Sequence, residues 1–224
     1  MTNVVVIGSN GKSGRLIVEE LVNRGFDVTG ISHGNENKSQ AQHYVSKDLF
    51  DLTKEDVAHA DVVVSAFGTW TEGTLPLHVK VVNHISDLLS GTDKRFLVVG
   101  GAGSLYVDDA HTVQLLNTPE FPVQFRPLAQ AQTDALEQLR KRDDVRWTFV
   151  SPAADFQADG ERAGRYILAG EKFTVNSKGE SVLSYADYAI AFADEIEKGN
   201  HIRERISVLG EQSRKNTPLL LELS

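Results

Sequence analysis

The stretch Val4–Gly14, VVVIGSNGKSG, continued by RLIVEELVNRG to Gly25, decides the fold. Four β-branched residues in succession (Val4, Val5, Val6, Ile7) have the length and composition of a strand buried on both faces of a parallel sheet. Glycines follow at Gly8, Gly11 and Gly14. Gly14, Ile17, Val18 and Leu21 then recur at helical spacing, with Glu19 and Glu20 off that face. Gly25 stands where a glycine just past the last turn ends a helix. The unit is a strand, a glycine turn and a helix.

That order suits an anion. Glycine allows a sharp turn and lets a ligand approach bare backbone. The first turn of a helix leaves its N–H groups unpaired, and the helix dipole adds partial positive charge there. A pyrophosphate fits such a place. The spacing is GxxGxxG rather than the familiar dinucleotide pattern GxGxxG. The expected phosphate-side residues are Gly8, Ser9, Asn10, Gly11, Lys12, Ser13 and Gly14.

Composition limits the alternatives. A chain of 224 residues can bury one sizeable α/β core. A formal charge of −8, from 31 acidic and 23 basic residues, argues against nucleic acid as a partner, because that needs clustered positive charge. Without cysteine there is no disulfide, thiolate catalysis or zinc–sulfur site. The seven histidines show no HExxH or comparable spacing, so no metal site is expected; His78 and His84 are placed on a helix surface. A GxSxG hydrolase elbow is absent too. With no signal peptide and no membrane-length apolar run, the expectation is a soluble cytoplasmic protein without a membrane partner, a monomer or weak homo-oligomer.

Outward from the turn, the pattern alternates. Phe26–Ile31 reads as a second strand with Ser32 and His33 at its end, and His43–Val45 as a third. Thr53 reads as the N-cap of a short helix. Asp61–Ala66 is a fourth strand, Pro76–Leu89 a helix, Arg95–Val99 a fifth strand, Leu128–Arg142 a helix and Val145–Val150 a sixth strand closed by Ser151-Pro152. Strands and helices in turn give an α/β fold with a doubly wound parallel sheet. Residues 107–127, with three prolines, read as a loop of lid length. Past 152 the pattern weakens: short strands are expected at 164–168, 173–175 and 206–209, and a helix at 185–198, with Ala189, Phe192 and Ile196 inward. Residues 1–224 read as one domain, with 152–210 a small irregular substrate-side extension and 211–224 a tail whose Leu219-Leu220-Leu221 needs cover.

Ligands bind at the carboxyl ends of strands in such sheets. This points to Asp48, Leu49, Ala66, Phe67 and Gly68 on the adenosine side. An NAD site places an acid about twenty residues past the glycine turn. Here Ser32 and His33 stand there, while Lys12 and Lys38 are basic, which leans to NADP over NAD. A second glycine cluster, Gly100-Gly101-Ala102-Gly103-Ser104, ends the fifth strand. It lets backbone pass close to a ligand and places the Ser104 hydroxyl beside it.

GSNGKSG after VVVI, ADVVVSAFG, FLVVGGAGSLY and WTFVSPAADF together resemble the atypical short-chain dehydrogenases/reductases. More narrowly they resemble the NAD(P)H-binding branch that holds NmrA-like, biliverdin-reductase-B-like and NADH-flavin-reductase-like proteins. The resemblance runs to about residue 210. It implies an NAD(P)-binding Rossmann fold, with phosphates on Ser9 to Ser13 and nicotinamide near Gly101, Ala102, Gly103, Ser104, Ser151 and Pro152. The wider family's Tyr-x-x-x-Lys pair is missing. Four residues past Tyr44, Tyr106, Tyr166, Tyr185 and Tyr188 stand Asp48, Ala110, Gly170, Ala189 and Phe192, and LAQAQT fills 128–133, where the pair would lie. The branch often carries arginine where this chain has His33, which weakens the NADP reading.

Two functions follow from that resemblance. One is an NAD(P)H-dependent oxidoreductase that passes hydride to a small planar acceptor such as a flavin or quinone, with Ser104 and Tyr106 as candidate catalytic residues and His111 as another proton donor. The other is a non-catalytic NAD(P) sensor of the NmrA-like kind. The GGAGSL strand end favours the enzyme, because a sensor needs mainly the adenosine and phosphate half.

Overall fold

The computed structural model describes residues 1–211. In chain order the main elements are β1 (Asn3–Ile7), α1 (Lys12–Asn23), β2 (Asp27–Ser32), β3 (His43–Ser46), β4 (Val62–Ser65), α2 (Leu77–Leu89), β5 (Arg95–Val99) and α3 (Arg126–Arg140). They are followed by β6 (Arg146–Ser151), β7 (Asp155–Gln157), β8 (Ile167–Ala169), β9 (Val182–Ser184), α4 (Tyr185–Lys198) and β10 (Glu204–Leu209). The eight-stranded sheet runs β3-β2-β1-β4-β5-β6-β10-β8, and every neighbouring pair is parallel except β10 with β8. β7 and β9 form a separate parallel pair.

The strand residues alternate between two cores. Val4 and Val6 face the core shared with Ile17, Val18 and Leu21 of α1 and Phe192 of α4. Val5 and Ile7 face the core shared with Val82 and Ile85 of α2 and Leu136 and Leu139 of α3. With side chains alternating along a strand, an unbroken apolar run is what a sheet covered on both faces requires. Each such fully buried Val, Leu or Ile contributes roughly 1.5–3 kcal/mol of transfer free energy.

From β1 the chain winds outward to β2 and β3, then returns to β4 beside β1 and winds the other way. The sheet is therefore doubly wound, and its switch point lies between β1 and β4, where ligand crevices form. The turn after β1 opens there. α1 closes as the sequence implies: the N–H of Phe26 reaches the carbonyl of Leu21, and that of Gly25 reaches Val22. That is the paired bonding of a glycine-ended helix.

Three expectations change. No helix starts at Thr53: the Asp56 carboxylate accepts from both the N–H and the hydroxyl of Thr53, and 53–60 makes successive i→i+3 turns. Eight residues with only Val57 and Ala60 to bury cannot build a helical stripe. α3 starts and ends two residues earlier than read, with Pro127 in its first turn. Beyond β6, residues 173–175 are not a strand, the strand expected over 164–168 is Ile167–Ala169, and β7 and β9 were unmarked in the pattern. The extension also supplies α4 to one face and β10 and β8 to the main sheet. Leu219-Leu220-Leu221 lies outside the described residues.

Candidate functional site

The first glycine turn is built from contacts with its own neighbours. Gly8 has φ +81°, its N–H donates to Ile31, and a Cβ there would lie 2.9 Å from the Ala66 carbonyl oxygen at the end of β4. Gly14 meets Gly8 more closely still: a Cβ on it would fall 2.2 Å from the Gly8 carbonyl oxygen. Only glycine lets α1 start this near the strand. Gly11 is the N-cap and offers no side chain to the helix, and the first turn of α1 holds no acid. Gly11 and Lys12 are exposed and Ser13 half-buried, so the N–H groups that open α1 face an accessible surface.

Two residues expected on the phosphates turn inward. Ser9 is fully buried, with its N–H toward the Ile31 carbonyl and its hydroxyl 3.4 Å from that of Ser32. Asn10 donates its N–H to the Ser32 hydroxyl. Its side chain donates to the Glu36 carbonyl and the Tyr44 hydroxyl and accepts from the Lys38 N–H. Ser9 and Asn10 thus brace the turn and shape the 34–38 loop beside it. A cavity of about 330 Å³ opens next to them, lined among others by Lys12, Arg15, Leu16, Lys38 and Asp159.

Among the residues expected on the adenosine side, Ser32 is the last residue of β2 and half-buried, while His33 is exposed beyond it. Asp48 accepts from the Phe50 N–H and caps a single 3₁₀ turn that holds Leu49. Ala66 is buried and donates to Ile7; Phe67 is half-buried; Gly68 is exposed under the Trp70 ring. His78 is not on the surface. It is 7% exposed, packs edge-on to Phe67 at 5.4 Å, and its Nε2 lies 3.1 Å from the Thr69 carbonyl, a bond its Nε2–H donates. Burial lowers its pKa and that bond offsets part of the effect, so it is neutral near pH 7. His84 is half-buried against Phe50 rather than free in solvent.

The second glycine cluster depends on remote residues. A Cβ on Gly101 would lie 2.0 Å from Gln132 Oε1, so the Gln132 side chain fills the space that the glycine leaves. Gly103 packs on Ala129 of α3, whose Cβ would lie 2.6 Å from a Cβ on it, and Ala102 between the two glycines is half-buried. Ser104 is 3% exposed, and its hydroxyl accepts from Arg205 Nη1 at 3.0 Å. A buried hydroxyl held by a guanidinium anchors the loop. Ser151 is buried beneath the same guanidinium and Pro152 is buried beside it. Tyr106 is half-exposed and stacked on His111, with ring centroids 4.9 Å apart and planes 6° from parallel. Its N–H donates to the Glu171 carbonyl and its carbonyl accepts from Phe173. The 107–116 loop is tied down by Asp108, which accepts from the N–H groups of Thr112 and Val113.

Gln132, Arg205 and Glu171 are the residues that sequence reasoning passed over. Gln132 falls in LAQAQT, read only for what it lacked. Arg205 carried a usable signal, a cation directly before the largely apolar run Ile206–Leu209. Its charge is opposed by burial and supported by Glu171, which also pairs with Arg140. Burial raises the Glu171 pKa, but the Arg205 and Arg140 guanidinia outweigh it and hold the carboxyl below its ordinary value. No group of three metal-ligating side chains exists among the described residues, and no described helix is long and apolar enough to cross a membrane.

A glycine cradle that a Cβ would fill, an uncapped helix start without acid, and a switch-point crevice above both fit a dinucleotide pyrophosphate. Fold and site together define a Rossmann-type dinucleotide-binding protein. More narrowly, the chain belongs to the NAD(P)H-binding family, whose model matches residues 8–196. It is 46% identical over 209 residues to the protein YwnB of Bacillus subtilis (strain 168), covering 92% of this chain and 97% of that one. It superposes on SP1627, described as a "putative NADH-flavin reductase", from Streptococcus pneumoniae TIGR4, with a TM-score of 0.92 and 57% identity, over 94% of this chain and 100% of that one. It is also 25% identical over 243 residues to the chloroplastic divinyl chlorophyllide a 8-vinyl-reductase of Cucumis sativus, over 97% of this chain and 55% of that one.

Proposed function

We propose that the protein is an NAD(P)H-dependent oxidoreductase that reduces a small planar acceptor, a flavin or a quinone. The observation that carries this reading is the helix face beside the second glycine loop. There Gln132 fills the space beside Gly101, and no tyrosine–lysine pair stands on α3. An amide does not release a proton near neutral pH, so this face of α3 offers carbonyl reduction no acid. A flavin needs none from the protein, because it can take its proton from water after hydride arrives. Bound NAD(P)H supplies the hydride, and the chain's own contribution is binding and orientation. The N–H groups opening α1 hold the phosphates, while Gly101 to Gly103 and the Ser151-Pro152 strand end shape the nicotinamide side. The reductase descriptions carried by the pneumococcal structure and the cucumber protein support the same class.

Lys12, Arg15 and Lys38 outnumber Glu19 and Asp159 in the lining of one cavity, and neither Ser32 nor His33 is acidic, which leans toward NADPH and its 2′-phosphate over NADH. The experiment is titration of the protein with NADPH and with NADH, followed in the same cuvette by FMN, riboflavin or a quinone. Oxidation faster than a protein-free control, with NADPH preferred, is expected. Tight binding without turnover on any acceptor would overturn the enzyme in favour of a non-catalytic NAD(P) sensor.

A further inference from the structure

Arg205 is the second residue of β10, opposite Phe149 of β6, and its side chain has no exposed surface. Its donors reach three other segments. Nη1 donates to the hydroxyls of Ser104 at 3.0 Å and Ser151 at 3.4 Å. Nη2 donates to the carbonyls of Ser104 at 3.2 Å and Glu171 at 3.1 Å. Nε and Nη2 also reach the Glu171 carboxylate. One planar fork thus joins the second glycine loop, the end of β6 and the segment that follows β8.

Strand pairing does not explain this. Taking a guanidinium out of water costs several kcal/mol, and an apolar side chain of similar volume often holds a strand as well or better. The second buried arginine makes the contrast. Arg95, at the start of β5, binds the carbonyl and carboxylate of Glu195 and the Thr148 hydroxyl, so it fastens the end of α4 at the opposite edge of the sheet. Arg205 instead binds both the hydroxyl and the backbone of Ser104, the residue that closes the Gly100–Gly103 loop.

On the oxidoreductase reading given above, we infer that Arg205 is a positioning residue: by holding Ser104 and Ser151 it fixes the loop that receives the nicotinamide half of the cofactor. It touches neither cofactor nor substrate. Its consequence is selective, because the phosphate turn makes no bond to Arg205 and is braced by Ser32, Tyr44 and the 34–38 loop. Loss of Arg205 should loosen one half of the cofactor site and spare the other.

The test compares two ligands by calorimetry: NADPH and 2′-phospho-ADP-ribose, which is NADPH without the nicotinamide ring. In Arg205→Met, NADPH should bind about tenfold more weakly, a loss of about 1.4 kcal/mol, while 2′-phospho-ADP-ribose affinity stays within about twofold. Arg205→Lys, with one nitrogen in place of the fork, should recover only part of the loss. If Arg205→Met does not fold, Ser104→Ala and Ser151→Ala decide: a smaller loss confined to NADPH supports the inference. Equal weakening of both ligands, or no change in either, overturns it, since a purely structural residue gives one or the other. A wild-type protein that binds neither ligand removes the dinucleotide reading itself, and this inference with it. Wild-type binding of both without turnover removes only the enzyme reading and leaves the Arg205 comparison standing.

Discussion

The two glycine loops at the carboxyl edge of the sheet are made differently. In the first, residues 8–14, the glycines sit against backbone: Gly8 against the Ala66 carbonyl, Gly14 against Gly8, Gly11 on the Gly8 carbonyl. The second, residues 100–104, is held by side chains from far along the chain: Phe149 against Gly100, Gln132 against Gly101, Arg205 on Ser104. A loop built on backbone packing has nowhere to yield, whereas one built on side chains can adjust by moving a rotamer. Substitutions at matched positions should therefore differ in kind as well as size.

The largest effect is expected at Gly14→Ala. Its new methyl meets a carbonyl oxygen at 2.2 Å, and only a backbone shift relieves that. A loss on the order of 3 kcal/mol in urea unfolding, together with loss of nucleotide binding, is expected. A near-wild-type midpoint would break the contrast at its rigid end. Gly11→Asp should separate the two properties. Gly11 has φ −71° and ψ 166°, an N-cap conformation that aspartate adopts, and its Cβ would lie 3.3 Å from the Gly8 oxygen. The carboxylate caps α1 and should leave stability unchanged or raised by a few tenths of a kcal/mol. It also occupies the anion's place, so NADPH affinity should fall on the order of 100-fold or more. Retained binding would remove the phosphate assignment.

The matched test in the second loop is Gly101→Ala. Its methyl meets first the end of the Gln132 side chain, which can swing away, so about 1 kcal/mol of destabilisation is expected. The double variant Gly101→Ala/Gln132→Ala should recover most of it, a coupling of about 1 kcal/mol in a double-mutant cycle. Additive effects would show that the loop is as rigid as the first.

Acid gives the smallest and most diffuse effect. Glu171 has a folded pKa below its ordinary value, so the unfolded chain takes up its proton at higher pH than the folded one. Its contribution is present above the ordinary glutamate value and fades as pH falls through the depressed folded value. The same sign holds for Asp194. Burial raises its pKa, but the Tyr166 hydroxyl and the Arg24 guanidinium outweigh that and hold it below its ordinary value. Urea midpoints should hold near neutrality and drop below about pH 4. In Arg205→Met the acid limb should be shallower, with Arg140 still supporting Glu171. An unchanged limb would mean that Arg140 alone sets that pKa.

The first loop was legible because its determinants sit side by side: a strand, glycines three apart and an amphipathic helix. Even there, the bracing bonds of Ser9 and Asn10 are not legible, because their partners Ile31, Ser32 and Tyr44 arrive only when β2 and β3 pair with β1. His78 was misplaced for a similar reason. Helical spacing marks a face, but the Phe67 ring and the Thr69 carbonyl that bury His78 come from the loop after β4. The Thr53 helix failed because capping residues without an apolar stripe do not pay for nucleation. β7 and β9 went unmarked because strands this short carry no periodicity of their own.

The sequence by itself determined the doubly wound order, the two-faced strands and the first glycine turn, since each rests on hydrophobic period and glycine spacing within a few tens of residues. Tertiary structure alone decided what surrounds the second loop. Gln132 and Arg205 reach it from a helix 31 positions and a strand 101 positions along the chain from Gly101 and Ser104 respectively. A hydrogen bond between such residues leaves no local pattern, because it is fixed by the packing of the sheet and not by the spacing of the residues that make it.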